Sequence, residues 1–168
     1  MNPDDILIRP LREDDSLDEL TELLHRAYKP LADMGLKYVA THQTVDITLR
    51  RISRGTCFVV EREGRIVGTI TYRDPSQSRG APYYERPDVA YVAQMAVEPE
   101  YQRQGIATRL MRHVEALARA DGASELAFDT SEQATHLIEW YQRLGYRAVD
   151  QVQWDVTNYR SVIMSKRV

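Results

Sequence analysis

The segment spanning residues 89–129 constrains the fold more than any other part of the 168-residue chain. Residues 89–97 are apolar on both faces apart from Gln94, which predicts a strand in the middle of a sheet. A polar connection then leads to Gly105, after which apolar residues recur at helical spacing as far as Gly122. Residues 125–129 form a second strand candidate. A strand, a helix and a strand in this order predict a βαβ unit, whose two strands are parallel neighbours.

The rest of the chain predicts a mixed α/β sheet around this unit. Alternating apolar and polar residues predict a strand at 6–11, and two β-rich stretches, 56–61 and 65–72, predict a hairpin with its turn at residues 63–64. The last two predicted strands are 146–154 and 159–165. Helical spacing predicts helices from about 17 to Tyr28, from Thr44 to about 55, and over 134–144. Pro30 is expected to end the first helix. The prediction is a single domain over residues 1–168, with about seven strands and about four helices.

Composition and charge restrict the classes of function. The chain has 22 Lys and Arg against 25 Asp and Glu, which does not match a general nucleic-acid binder. A single cysteine, Cys57, excludes an internal disulfide framework, and the four histidines lack the spacing of metal ligands. No stretch approaches the ~20 apolar residues that span a bilayer. The acidic N-terminus does not have the pattern of a signal peptide, so we expect a cytoplasmic protein. Together, these observations lead us to expect no metal, no membrane partner and no nucleic-acid partner.

A short motif joins the central strand to the helix that follows it, with the sequence Gln102, Arg103, Gln104, Gly105, Ile106 and Ala107. The first amides of a helix are unpaired and carry partial positive charge, so this position suits a phosphate group. The small residues Gly105 and Ala107 leave room for a ligand to approach the backbone. Taken alone, however, the motif is weak, because an ordinary strand-to-helix turn with exposed arginines has the same composition.

A second motif, near the end of the fourth predicted helix, changes the interpretation. It reads Trp140, Tyr141, Gln142, Arg143, Leu144, Gly145 and Tyr146. With the first motif, and in this order and spacing, it resembles the Gcn5-related N-acetyltransferase (GNAT) superfamily. The predicted elements also follow the order of that family, so the resemblance extends over nearly the whole chain.

The resemblance implies an enzyme that moves an acetyl group from acetyl-CoA to a primary amine by direct attack, without an acyl-enzyme. It implies that the two parallel strands splay apart around the cofactor. The expected cofactor contacts are the backbone of Met95, Ala96 and Val97, the residue Gln102, and the amides of Arg103, Gln104, Gly105, Ile106, Ala107 and Thr108. It also implies that the hydroxyl of Tyr141 protonates the departing sulfur.

The chain departs from the family pattern at three positions. Ala134 and Leu137 stand where many relatives have Asn and Ala, which puts one cofactor contact in doubt. Gln94 stands near the position of a strand glutamate that serves many relatives as general base. Proton removal is therefore expected to use water, which Gln94 can position, or a peripheral group; the candidates for that group are His42, Glu85 and Asp88.

Two irregular segments, residues 28–44 and 73–88, are expected to form the walls of the acceptor pocket. Their candidate side chains are Tyr28, Tyr38, His42 and Tyr84. The sequence does not distinguish a small amine, an amino acid, an antibiotic or a protein amine as the acceptor. Two alternatives also stay open, a different acyl-CoA donor and a CoA-binding module without catalysis, as does a homodimer.

Overall fold

Seven strands form one mixed sheet, in the order β1-β2-β3-β4-β5-β7-β6, in a computed structural model that describes residues 5–168. Residues 1–4, which include Asp4 of the acidic N-terminus, lie outside the described residues. The strands are β1 (Leu7–Pro10), β2 (Thr56–Arg62), β3 (Arg65–Arg73), β4 (Val89–Val97), β5 (Glu125–Ser131), β6 (Arg147–Val152) and β7 (Ser161–Arg167). All neighbouring strands are antiparallel except β4 and β5, so the predicted central parallel pair is confirmed.

Four α-helices flank the sheet: α1 (Leu17–Asp33), α2 (Val45–Ile52), α3 (Ile106–Ala120) and α4 (Thr135–Arg143). Local sequence explains where α1 and α2 begin, because Ser16 and Thr44 each accept a hydrogen bond from the backbone N–H three residues later. Helix α3 connects β4 to β5, as the βαβ prediction required.

The prediction that α1 ends near Tyr28 is wrong, since the helix continues through Pro30 to Asp33. A proline inside a helix removes one backbone hydrogen bond. The added turn also buries Leu31 in an apolar cluster with Leu36 and other residues. Packing of an apolar helical face stabilises helices in proteins more than local propensity does, so the helix tolerates the proline.

The boundaries of the last two strands also differ from the prediction. Strand β6 ends at Val152 and β7 begins at Ser161, so Trp154 lies in the connection between them. Tyr146 precedes β6 because its backbone N–H bonds to the carbonyl of Tyr141 and closes the end of α4. This boundary leaves the Trp154 side chain free to turn toward the sheet.

The two faces of the sheet are covered by different helices. On one face, apolar residues of α3 pack on alternate residues of β4 and β5, including Ala90, Val92, Leu126 and Phe128. Helix α1 packs on the opposite face, where Leu23 and Leu24 contact the central strand. Within residues 5–168, no helix is long and apolar enough to cross a membrane.

Candidate active site

A cleft of about 1020 Å³ opens where β4 and β5 diverge. The two strands pair only through Val89–Tyr91 and residues 125–127. Beyond Tyr91 both strands continue without pairing to each other, and every residue from Tyr91 to Val97 lines the cleft. Asp129 and Thr130 line it from β5. The central pair is therefore splayed, as the resemblance implied.

One end of the cleft is formed by the turn that begins α3. Gly105 lies in the left-handed region, with φ of +85°, and is the N-cap of the helix. A Cβ at Gly105 would meet no atom within 4 Å, so the space above its backbone is open. The left-handed conformation favours glycine, and the unpaired first amides of α3 adjoin this open space. The turn thus has the shape and polarity that suit a phosphate group.

Most of the predicted cofactor residues lie along the cleft. From the turn and the start of α3, the lining residues are Gln102, Arg103, Gly105, Ile106, Ala107 and Thr108. Gln104 is not among the lining residues; its side-chain amide donates instead to the carbonyl of Glu100 at 3.3 Å. The site therefore extends continuously from the central strand into α3.

The backbone of β4 is irregular inside the cleft. Thr69 pairs with Ala96 and Thr71 with Ala93, so β4 contains one residue more than β3 over this stretch. Gln94 lies in this bulge with φ of +55°. Bulges interrupt the hydrogen-bond ladder and turn side chains toward new directions, often beside functional sites.

The carbonyl groups of the central strand are partly engaged within the protein. The hydroxyl of Tyr28 donates to the carbonyl of Met95 at 2.9 Å, and Nε2 of Gln102 donates to the carbonyl of Val97 at 3.0 Å. Tyr28 and Gln102 therefore fix the wall along which the resemblance places the cofactor. Ala96, between Met95 and Val97, also lines the cleft.

Tyr141 lies on α4 and lines the cleft. Its ring packs against those of Phe128 and Trp140, with ring centroids 4.2 and 4.8 Å apart. Its hydroxyl has no hydrogen-bond partner among residues 5–168. Burial raises the pKa of the Tyr141 phenol, so the group is protonated at neutral pH. Leu137, one turn earlier, also lines the cleft, while Ala134 is buried at the N-terminus of α4.

Three of the four side chains predicted for the acceptor walls line the cleft, namely Tyr28, Tyr38 and His42. Tyr38 is held firmly, because its hydroxyl hydrogen-bonds with Thr130 Oγ1 at 2.8 Å and accepts from the backbone N–H of Ser131 at 2.9 Å. His42 is exposed, and its Nδ1 lies 3.0 Å from Thr41 Oγ1.

The expectation that Tyr84 contacts the acceptor needs correction. Tyr84 is 0% exposed and does not line the cleft, because it packs beneath Tyr91 with their ring centroids 4.4 Å apart. Its hydroxyl donates to Oδ2 of Asp129 at 2.6 Å. Tyr84 therefore acts on the cleft indirectly, through Asp129 and Tyr91, which both line it.

Two of the three candidate bases are also misplaced. Glu85 and Asp88 do not line the cleft. Glu85 is exposed beside a separate surface pocket, and Asp88 pairs with Arg86 at 3.0 Å. Only His42 of the three borders the cleft.

The carboxylate that does face the cleft is Asp129, which the sequence prediction missed. Its two oxygens accept from the Tyr84 hydroxyl and from Nε1 of Trp154, at 2.6 and 2.9 Å. Burial raises the pKa of Asp129, while the hydrogen bond from Tyr84 lowers it. Asp129 lies near the carboxyl end of β5, the edge at which α/β proteins commonly bind ligands. The position of Asp129 at the carboxyl end of a predicted strand was the feature of the sequence that could have identified it as a site residue.

The side-chain amide of Gln94 is a donor without an acceptor. Arg51 donates to Oε1 of Gln43 at 2.8 Å, and Nε2 of Gln43 donates to Oε1 of Gln94 at 2.8 Å. A guanidinium only donates, so this chain of bonds fixes both amides. Gln94 is 4% exposed, and its Nε2 has no hydrogen-bond partner in the described part of the chain.

Comparison with known proteins identifies the class. The sequence model of the acetyltransferase (GNAT) family matches residues 17–146. The chain is 34% identical to S-(2-succino)cysteine N-acetyltransferase of Bacillus subtilis (strain 168) over 131 residues, which are 77% of each protein. It is 30% identical to S-alkylcysteine N-acetyltransferase of the same organism over 146 residues, 85% of this chain and 79% of that protein.

Solved structures show the same fold. A GNAT family acetyltransferase from Elizabethkingia anophelis with acetyl-CoA bound superposes with a TM-score of 0.69 and 15% identity, over 98% of this chain and 99% of that chain. The chain belongs to the GNAT acetyltransferase family. It is an acetyl-CoA-dependent acyltransferase of the N-acetyltransferase type. Residues 5–168 contain no group of three or more His, Cys, Asp or Glu side chains that could hold a metal ion.

Proposed function

We propose that the enzyme acetylates the α-amino group of a small amino acid of the S-substituted cysteine type. The observation that carries this proposal is that one cleft is lined both by a carboxylate, Asp129, and by Gln94, whose side-chain amide has no acceptor among the described residues. An α-amino acid presents the complementary groups, an ammonium and a carboxylate. The two Bacillus subtilis relatives are named for S-substituted cysteines, which supports the same acceptor class.

The register of the sheet supports a site that uses both Asp129 and Gln94. Tyr91 lies opposite Ala127, so two residues further along each strand lie Ala93 and Asp129. Asp129 therefore lies at the level of the β4 bulge that contains Gln94. An ammonium held by Asp129 would then lie beside the middle of the central strand, between the α3 turn and the pocket walls.

The turn at the start of α3 is the proposed binding site for the pyrophosphate of acetyl-CoA. The open space above Gly105 and the unpaired amides of α3 fit that group. The backbone of Met95, Ala96 and Val97 would line the adjoining pantetheine arm. When bound, acetyl-CoA supplies the acetyl group as an activated thioester.

Asp129 and Tyr141 are the proposed proton-transfer groups. Asp129 takes a proton from the acceptor ammonium, so that the amine attacks with its free electron pair. Burial raises the pKa of this carboxylate and makes it a stronger base than an exposed aspartate. Tyr141 holds a proton at its hydroxyl and donates it to the departing sulfur. Tyr84 and Trp154 orient the Asp129 carboxylate.

A thiol-release assay with an acceptor panel tests the proposed function. The panel contains S-substituted cysteines, unmodified amino acids, a polyamine, an aminoglycoside and a peptide with a free N-terminus. We expect the highest kcat/KM for an S-substituted cysteine. Higher kcat/KM for any amine without an α-carboxylate would contradict the proposal. Propionyl-CoA in place of acetyl-CoA measures the acyl-chain preference in the same assay.

We also propose a reducing, cytoplasmic location. The lone cysteine, Cys57, is buried and unpaired, and burial raises the pKa of its thiol. A protonated, inaccessible thiol is unreactive, which is compatible with a structural residue in a reducing compartment. Fractionation of the native host cells, with the protein detected by antibody, would test this location.

A further inference from the structure

The lining of the cleft is strongly cationic. Besides Arg103 at the phosphate turn, five arginines line the cleft: Arg50, Arg51, Arg54, Arg73 and Arg79. Among the described residues that line the cleft, Asp129 is the single carboxylate. No ion pair within 4.0 Å joins any of the five arginines to a carboxylate of residues 5–168. The positive charge that these five arginines bring to the cleft therefore exceeds what the protein itself neutralises.

Arg73 is the most unusual of these side chains. It is 7% exposed, and its buried Nε has no hydrogen-bond partner in the described part of the chain. Its guanidinium lies over the ring of Tyr91, 4.9 Å from the centroid. Burial lowers the pKa of Arg73, and the charges of Arg54 and Arg51 act in the same direction. Burying a guanidinium without an anion beside it is energetically unfavourable. Arg73 therefore lacks an anionic partner, and a negatively charged group of a ligand can supply one.

The position of Arg73 separates this cationic region from the cofactor phosphates. Arg73 pairs with Tyr91, whereas the phosphate turn follows Val97, six residues further along β4. At the usual rise of a strand, this separation is about 20 Å. Side chains alternate along a strand, so Arg73 and Tyr91 lie on the sheet face opposite α3. That face carries α1 and α2, and it is the side on which we propose that the acceptor binds.

We propose that Arg73, with Arg51 of α2 and Arg54 of the turn that follows α2, binds a carboxylate on the side chain of the acceptor. The acceptor is then an acidic S-carboxyalkyl cysteine rather than a neutral S-alkyl cysteine. This proposal rests on the proposed function, in which Asp129 and Gln94 bind the ammonium and the α-carboxylate. Arginine suits the role because its planar guanidinium donates two parallel hydrogen bonds to a carboxylate, while Tyr91 supports its face.

A matched pair of acceptors tests the proposal directly. S-(carboxymethyl)cysteine and S-(carbamoylmethyl)cysteine have nearly the same size and differ in one charge. For the wild type we expect kcat/KM to be about 10- to 100-fold higher for the carboxylate, the range of a charged hydrogen bond. Arg73→Met should bring the ratio close to one, and Arg73→Lys should restore part of it. Arg119→Gln, on the exposed part of α3, is the matched control and should leave the ratio unchanged.

Thermal unfolding provides a readout besides activity. Without ligands, Arg73→Met should unfold at the same or a higher temperature than the wild type, since it removes a buried unpaired charge. With CoA present, S-(carboxymethyl)cysteine should stabilise the wild type and should stabilise Arg73→Met much less. A lower unfolding temperature of ligand-free Arg73→Met would assign Arg73 a structural role and overturn the proposal.

The kinetic outcomes distinguish this proposal from the proposed function. Equal kcat/KM for the two acceptors in the wild type would overturn the carboxylate site and leave the proposed function intact. An increase in the KM for acetyl-CoA in Arg73→Met, with the acceptor ratio unchanged, would assign the arginine to the cofactor and also overturn the proposal. Turnover of amines but of no cysteine derivative would overturn the proposed function itself.

Discussion

Removal of a single hydroxyl, in Tyr141→Phe, tests the proposed chemistry most directly. In the structure this hydroxyl has no hydrogen-bond partner among residues 5–168, and the ring is held by Phe128 and Trp140. The substitution therefore removes no intramolecular hydrogen bond and keeps both ring contacts. We expect the free energy of unfolding to change by less than about 0.5 kcal/mol. For a chain of this length, that corresponds to a Tm shift of less than about 2 °C.

The expected effect on catalysis is much larger. Without the phenol, the sulfur leaves as an unprotonated thiolate, and loss of a general acid typically costs ~10²-fold or more in rate. A ~10²-fold decrease in kcat corresponds to about 2.7 kcal/mol in the activation barrier. The assay measures kcat by thiol release, together with the stabilisation of each protein by CoA. We expect kcat to decrease and the CoA-induced shift in Tm to stay as in the wild type.

Tyr38→Phe is the matched control for stability, because the hydroxyl of Tyr38 takes part in two hydrogen bonds. Loss of these bonds should lower the free energy of unfolding by about 1–3 kcal/mol, since the partners are buried. Two results would refute the reasoning about Tyr141. One is a kcat of Tyr141→Phe within three-fold of the wild type across several thioester donors. The other is a destabilisation of Tyr141→Phe as large as that of Tyr38→Phe, which would show that its hydroxyl is bonded in the folded protein.

Three further predictions concern the phosphate turn and the proposed base. Gly105→Glu should greatly reduce the increase in Tm that acetyl-CoA causes, because it adds a negative charge and an unfavourable φ at the turn; an undiminished increase in a folded variant would exclude this site. In the wild type, kcat/KM should decrease as the pH falls through the raised pKa of Asp129, which gives the pH profile an acidic limb. Asp129→Asn should lower kcat/KM by ~10²-fold and remove this limb; an unchanged limb would assign the base elsewhere. Tyr84→Phe removes the hydrogen bond that lowers the pKa of Asp129, so the acidic limb should move to higher pH; a limb that moves to lower pH would contradict the positioning role of Tyr84.

Local conformational requirements explain which parts of the site were predictable. Gly105 was recognisable because a left-handed residue before a helix favours glycine, and the following helical pattern defined α3. Tyr141 was recognisable because the motif at residues 140–146 resembles the GNAT pattern, and its Gly145, at φ of +97°, lies just after the end of α4. In both cases the relevant residues are close neighbours along the chain, so they form a sequence motif that can be compared with a family pattern.

Site residues whose position depends on contacts between distant segments could not be predicted from sequence motifs. Asp129 lies toward the end of an apolar strand, as many other aspartates do, and only the divergence of β4 and β5 brings it into the cleft. Tyr84 looked like a pocket residue because its loop borders the cleft, yet packing against Tyr91 buries its ring completely. Side-chain direction in a loop depends on such contacts, which the sequence pattern does not encode.

By itself, the sequence determined the order of the elements, the parallel central pair and the turn that suits a phosphate. These follow from periodicity, from the conformational freedom of glycine and from the geometry of a βαβ crossover. The tertiary structure decided that α1 continues through Pro30, that Asp129 faces the cleft, and that Arg73 is buried without a carboxylate. Burial, packing energy and the pairing of charges depend on groups far apart in the chain, so they arise only when the sheet and its helices come together.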